Sequence, residues 1–114
     1  MYTRSAIFEG RILRGREEEF YRAVEDRLMP AWRQMLHALD VRVYRPVRQD
    51  ENTPEVFMVQ EIDYPSLNAI DEALASPRRE AAAVAHQSIM HLYEGRHYHF
   101  VYQKLNTDVS GGQS

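Results

Sequence analysis

The sequence predicts one α+β domain in which the elements follow the order strand, helix, strand, strand, helix pair, strand. Three observations lead to this prediction. Apolar residues recur at three- and four-residue spacing in two long segments, which is the period of a helix. Short apolar segments bounded by Gly, Pro or polar turns lie beside them, as strands do. A chain of 114 residues, 44% hydrophobic and 27% charged, has the size and composition of one globular domain.

The first part of the chain predicts a strand and then an interrupted helix. The segment Tyr2 to Glu9 contains several apolar residues and stops at Gly10, which indicates a strand. Helical spacing then extends over residues 17–39, with three glutamates in the first turn, where the helix dipole favours acidic side chains. Pro30 lies inside this segment and has no backbone N–H to donate. We therefore expect the helix to kink or break near residues 26–30.

The middle of the chain predicts a β-hairpin. The segments Val41 to Val47 and Val56 to Ile62 are apolar, and the polar residues 49–54 between them favour a turn. Two such segments pair as antiparallel strands. Strict alternation along the second strand places Phe57 and Met58 on opposite faces of the sheet.

The last part of the chain predicts two helices and a final strand. Ser66 begins a short helix, and Ser76 followed by Pro77 begins the next one, with serine as the N-cap and proline in the first turn. This second helix is expected to end near Gly95, since glycine commonly follows the last turn of a helix. The aromatic segment 96–105 then forms the last strand.

The resulting order, βαββαβ with a four-stranded antiparallel sheet, is that of the ferredoxin-like fold. We assign residues 1–106 to this domain. Residues 107–114 are rich in Gly and Ser, and we expect them to form a flexible C-terminal tail.

Both faces of the predicted sheet carry residues that favour burial. On the last strand Tyr98, Phe100 and Tyr102 alternate with His97 and His99. Two helices cover only one face of such a sheet, and a face exposed to water should be polar. We therefore expect a second copy of the chain to cover the other face, giving a homodimer. The alternative is a monomer in which Tyr and Met side chains stay partly exposed.

Composition and charge exclude several classes of function. The net charge of −3 gives no attraction to nucleic acid or to an anionic membrane, and no apolar stretch is long enough to span a bilayer. The absence of cysteine excludes disulfides, thiolate nucleophiles and thiolate metal sites. No phosphate-binding loop or Ser-His-Asp order is recognisable. Together these features lead us to expect a cytoplasmic protein that uses no cofactor and no metal.

Three histidines are the candidates for catalysis. His97 and His99 are two residues apart on a strand, so both rings project to one face, where they can meet a ligand or a metal. Nothing in the sequence fixes the remaining metal ligands, and the alternative is a pair of partly buried, hydrogen-bonded histidines. His86 lies on the last helix and is a candidate general base near neutral pH. Its alternative is a place on the helix flank with no chemical role.

Trp32 and Tyr44 are further candidates for ligand binding. A kink at Pro30 beneath Trp32 can open a gap between helix and sheet that suits a flat aromatic ligand. Alternatively, Trp32 fills that gap as part of the core. Tyr44 shares a strand face with Arg42 and is expected either to line the same cavity or to pack across strands.

Two arginines, Arg78 and Arg79, lie at the start of the last predicted helix, where cations oppose the helix dipole. A bound anion would account for their position. Otherwise they extend into solvent or pair with nearby acidic residues such as Asp71 and Glu72.

The layout resembles that of the dimeric α/β-barrel proteins. The resemblance covers residues 2 to about 105. It rests on the strand order, on the interrupted helix with Leu28-Met29-Pro30-Ala31-Trp32, and on the segment from Asp63-Tyr64-Pro65-Ser66 to Ser76-Pro77-Arg78. These proteins include cofactor-independent monooxygenases acting on polyketide aromatics, haem-degrading enzymes, isomerases, dehydrochlorinases, EthD-like proteins and stress-responsive proteins. The Asn, Trp and His set of the haem-degrading enzymes and a convincing EthD pattern are not found in this sequence.

The resemblance implies a homodimer that binds a small aromatic or hydrophobic metabolite between sheet and helices. His86, His97, His99, Trp32 and Tyr44 are the residues expected to contact it. The activity implied is that of a cofactor-independent isomerase, lyase or monooxygenase. The alternative is a non-catalytic dimerisation or ligand-sensing module, because a shared fold does not transfer a function.

Overall fold

The computed structural model describes residues 1–105 as an antiparallel sheet with helices on one of its faces. The strands are β1 (Tyr2–Ile12), β2 (Asp40–Tyr44), β3 (Val56–Tyr64) and β4 (Tyr93–Gln103), in the spatial order β2-β3-β1-β4. The helices are α1 (Glu17–Ala23), a π-helical segment (Val24–Leu28), α2 (Met29–Arg33), α3 (Leu67–Ala75), α4 (Arg78–Gln87) and a 3₁₀ turn (Met90–Leu92). This topology confirms the predicted ferredoxin-like fold. The predicted tail, 107–114, lies outside the described residues. No helix within residues 1–105 is long and apolar enough to cross a membrane.

The hydrophobic core lies between the sheet and the helices. Phe8 and Met58, which are cross-strand neighbours, point from the sheet into this core. Phe20 and Leu28 pack onto them from the first helical region, and both side chains are fully buried. Burial of such side chains contributes about 1.5–3 kcal/mol each to stability, so this layer holds the helices on one face of the sheet.

The first helix continues without a gap from Glu17 to Arg33, and near the predicted kink or break it contains a π-helical segment. The backbone N–H of Met29 donates to the carbonyl of Val24, five residues earlier, and α2 then begins with Pro30 in its first turn. Proline cannot donate to the carbonyl four residues earlier, and the wider π turn accommodates this loss. The α-helix then ends at Arg33, earlier than the predicted end near residue 39.

Strand β3 contains a β-bulge that corrects the predicted alternation. Phe8 pairs with Met58, whereas Glu9 pairs with Val56, so that Phe57 has no partner in the ladder. The extra residue turns the Phe57 side chain to the helix face, and its ring contacts Phe8 at a centroid distance of 5.9 Å. The expectation that Phe57 and Met58 lie on opposite faces is therefore wrong.

Two glycines extend β1 and β4 beyond their predicted bounds. Gly10 and Gly95 are direct cross-strand partners, and both have positive φ, +131° and +142°. A Cβ atom on either glycine would collide with a backbone carbonyl oxygen of the opposite strand. Gly95 therefore serves the close approach of two strands, and the predicted role as a helix C-cap is wrong. Helix α4 ends at Gln87, well before it.

The second face of the sheet carries an ion-pair network. Asp63 is buried on this face and accepts two hydrogen bonds from Arg42, at 2.8 and 3.0 Å, and one from the Thr3 hydroxyl at 2.6 Å. Lys104 Nζ lies 3.3 Å from the same carboxylate. The Arg42 guanidinium holds the pKa of Asp63 well below its usual range. The network fixes the edge strand β2 to β3 and β1.

Candidate functional site

A cavity of about 170 Å³ lies between the sheet and the helices, beside the first helix. Strands β1, β3 and β4 form its floor, and α2, α3 and α4 contribute its other walls. Its polar lining consists of Arg4, Gln60, Arg79, His86, His97 and His99. The remaining lining is apolar or aromatic, the composition typical of small-molecule sites.

The apolar wall of the cavity includes Trp32 from α2 and Phe8 from β1. Trp32 is 7% exposed and belongs to the buried core, yet its side chain also borders the cavity. Both alternatives drawn from the sequence thus hold in part, because the indole packs in the core without filling the gap. The rings of Phe8 and His97 are stacked, with centroids 5.2 Å apart. A planar ligand would therefore meet flat apolar surfaces here.

Three histidines meet in this cavity. The register of the sheet places His97 opposite Phe8 and His99 opposite Ala6, both on the helix face. The ring centroids of His97 and His99 are 5.4 Å apart. His86 approaches from α4, and its ring centroid lies 4.8 Å from that of His97. The helix and the strand thus bring together three imidazoles that are separated by up to thirteen residues.

The orientation of His86 is fixed by a tyrosine. The hydroxyl of Tyr93, a buried residue at the start of β4, lies 2.7 Å from Nε2 of His86. Because Nε2 is engaged with this hydroxyl, the other ring nitrogen of His86 is left to interact elsewhere. Burial also raises the pKa of Tyr93, which keeps the phenol protonated.

The environment of the cavity favours neutral imidazoles. Burial lowers the pKa of His86, and the neighbouring His97 lowers it further. Burial together with the charge of Arg4 lowers the pKa of His97. For His99, burial followed by the charge of Arg4 and the other cavity groups lowers the pKa to about 4. His97 and His99 nevertheless keep substantial contact with solvent, and His86 is half-buried. A pKa below the usual 6.5 leaves an imidazole mostly neutral at pH 7, and a neutral imidazole can accept a proton.

Most of the residues chosen from the sequence meet at this cavity, and Tyr44 does not. Trp32, His86, His97 and His99 all line it. Tyr44 pairs with Val59 and lies on the opposite face of the sheet, where its hydroxyl is 3.4 Å from a Glu61 carboxylate oxygen. The expectation that Tyr44 lines the same cavity is therefore wrong. Its place follows from the register, which puts Val41 and Val43 of β2 on the helix face instead.

Arg4 and Gln60 are cavity residues that the sequence analysis missed. A signal was present for Arg4, because it alternates with Ala6 and Phe8 on the first strand and so projects to the same face. Gln60 lies on the same face of β3 as Met58, and it is 5% exposed. A buried glutamine between apolar neighbours is a polar group available for a ligand. Within residues 1–105, no group of three or more His, Cys, Asp or Glu side chains is arranged to hold a metal ion.

No protein-family model and no curated protein matches the sequence. The similarity to known proteins is one of structure. A protein of the ethyl tert-butyl ether d (EthD) family from Bacillus halodurans superposes with a TM-score of 0.70 and 11% identity, over 92% of this chain and 100% of its own.

Two further solved structures show the same arrangement. SnoaB, a cofactor-independent oxygenase from Streptomyces nogalater, gives a TM-score of 0.61 and 16% identity, with 93% of this chain and 94% of that chain covered. A dimeric protein of unknown function and ferredoxin-like fold from Bacteroides fragilis gives 0.64 and 8% identity, covering 90% of this chain and 95% of that chain. At these identities the likeness concerns the fold alone. This chain therefore has the ferredoxin-like fold, as the sequence predicted.

Proposed function

We propose that the chain is a cytoplasmic homodimer whose cavity binds a small aromatic metabolite and removes a proton from it without a cofactor. The observation that carries this proposal is the meeting of three histidines in a cavity walled by Trp32 and Phe8. Removal of an acidic O–H or C–H proton begins many isomerase, lyase and cofactor-independent oxygenase reactions, so the same site is compatible with each of these classes. The structural likeness to a cofactor-independent oxygenase supports this range.

We assign the role of general base to His97. Its ring lies between those of His86 and His99, at 4.8 and 5.4 Å, and stacks on Phe8 beside the aromatic wall. His86 is hydrogen-bonded to Tyr93. It is therefore suited to orient His97 and to stabilise that ring once it has taken a proton from the ligand. A base whose pKa lies below its usual value remains free to accept a proton at neutral pH, although it is a weaker base than free imidazole.

The aromatic strip on the second sheet face supports the proposed homodimer. Tyr98, Phe100 and Tyr102 lie side by side on β4, with ring centroids 5.7 and 6.1 Å apart. Phe100 is 49% exposed in the single chain, and Tyr102 is 42% exposed. A contiguous exposed aromatic strip favours coverage by a partner, and a structural neighbour is itself dimeric.

The test is proton exchange on a carbon acid. Phenylacetone, a single-ring aromatic ketone with an acidic C–H group, is incubated with the protein in deuterated water, and deuterium uptake is followed by NMR. We expect uptake above the buffer rate, reduced by about 10²–10⁴-fold in His97→Gln, as when a general base is lost. His91→Gln changes an exposed histidine outside the cavity and should retain the full rate. Binding of phenylacetone without any acceleration would contradict catalysis and favour the ligand-sensing module. Absence of binding would contradict both.

A further inference from the structure

We infer that the ligand of this cavity carries an anionic group, and that Arg4 and Arg79 bind it. The inference rests on the proposed ligand-binding function and adds a chemical class to it. A flat aromatic acid, with a single ring bearing a carboxylate, is the kind of molecule that the cavity geometry fits.

Arg4 is unusual among the arginines of the sheet. Four arginines lie on strands: Arg4, Arg11, Arg42 and Arg96. The last three each have a guanidinium nitrogen within 3.4 Å of a carboxylate oxygen. The Arg4 side chain is partly buried and has no hydrogen-bond or ion-pair partner within residues 1–105. A guanidinium withdrawn from water without a partner is costly, so its presence in a cavity wall points to a ligand that supplies the missing charge.

Arg79 brings a second positive charge to the same cavity. It reaches the cavity from the first turn of α4, where one guanidinium nitrogen donates to the carbonyl of Leu74 at 3.3 Å. Both guanidinium groups line the cavity. Burial lowers the pKa of Arg4, the nearby Tyr64 opposes this shift, and the charge of Arg79 adds to it. The described lining contains two arginines and three histidines but no Asp or Glu. Such a set of side chains attracts an anion and rejects a cation.

The size of the cavity restricts the ligand. A cavity of about 150 Å³ is enough to hold one benzene ring, and this one measures about 170 Å³. Trp32 and Phe8 offer the flat surfaces for that ring, while guanidinium groups match the paired oxygens of a carboxylate. A small aromatic acid can place its ring against Trp32 and Phe8 and its carboxylate against the two guanidinium groups.

The experiment compares benzoate with benzamide, two probes of the same shape that differ in charge. Trp32 is the only tryptophan, so selective excitation of tryptophan reports on this cavity, and NMR titration confirms the site. We expect benzoate to bind about tenfold more tightly or better, as charge-assisted hydrogen bonds provide. Arg79→Met and Arg4→Met should each reduce this ratio severalfold, and the double variant should bring it close to one.

Arg78→Met is the matched control. Arg78 precedes Arg79 on the same helix, does not line the cavity, and should leave the benzoate affinity unchanged. If Arg4→Met fails to fold, the comparison of Arg78→Met with Arg79→Met on the helix surface still decides the question. Equal affinity for benzoate and benzamide would overturn the inference but leave the proposed aromatic site standing. A preference for benzoate that survives in the double variant would have the same consequence. If neither probe alters Trp32 fluorescence or the NMR spectrum, the proposed function fails together with the inference.

Discussion

Replacing Trp32 by alanine tests whether the indole is both a core residue and a wall of the cavity. A tryptophan buried to this degree removes roughly 150–250 Å² from water, and about 25 cal/mol per Å² gives an upper estimate of roughly 4–6 kcal/mol. Part of the Trp32 side chain borders the cavity and has no packing partner there, which lowers the estimate. We expect Trp32→Ala to reduce the free energy of unfolding by about 3 kcal/mol, at the lower end of the cost of large-to-small substitutions.

The measurement is urea denaturation followed by far-ultraviolet circular dichroism, since the variant has lost its tryptophan. Benzamide, the uncharged probe, is titrated in parallel by NMR. We expect its affinity to fall by about tenfold, because one apolar face of the site is removed. Leu28→Ala is the control: Leu28 is fully buried beneath the same helical region but does not line the cavity.

The control separates a loss of binding from a loss of stability. Leu28→Ala should cost about 2–5 kcal/mol of stability and leave the benzamide affinity unchanged. A stability loss below about 1 kcal/mol in Trp32→Ala would refute its burial in the core. Unaltered benzamide affinity in that variant would refute its place in the ligand site.

Two further predictions concern the histidines and the second sheet face. The free energy of unfolding should fall as the pH drops from 6.5 towards about 4, because burial and nearby positive charge lower the pKa of His99, so the unfolded chain binds more protons in that window. His99→Gln should flatten this slope in urea titrations at several pH values, and an unchanged slope in that variant would contradict the account. Light scattering at micromolar concentration should give twice the 13.4 kDa chain mass, and Phe100→Glu should convert the protein to monomer while the helix-surface Val84→Glu does not. A single 13.4 kDa species for the unmodified chain would refute the dimer.

The fold could be predicted from the sequence wherever one local rule acted alone. The missing N–H of Pro30 indicated the region where the first helix turns π-helical, and alternation placed His97 and His99 on one face. Prediction failed where two distant segments act together. Gly95 resembles a helix cap when its neighbours in sequence are considered, and only its partner Gly10 reveals a close approach of strands. The bulge at Phe57 likewise depends on the pairing partner, which no local pattern specifies.

The candidate site was predicted in part for the same reason. Trp32 and the three histidines were found from residue type and local periodicity. Tyr44 was misplaced because its face depends on the register of β2 against β3, and a shift of one residue reverses every side chain. Arg4 was missed because a charged residue on a strand is ordinarily exposed, and its isolation becomes visible only when the partners of the other strand arginines are known.

The two arginines and the three histidines form one electrostatic system, which links ligand binding to the strength of the base. The charge of Arg4 contributes to the lowered pKa of both His97 and His99. A carboxylate bound by Arg4 would offset that charge and raise the pKa of these imidazoles towards the usual value of 6.5. By linkage, protonation of the histidines would in turn strengthen the binding of the anion by the same factor. Binding of an aromatic acid would thus make His97 and His99 stronger bases, whereas binding of an uncharged aromatic compound would leave the contribution of Arg4 to their pKa unchanged.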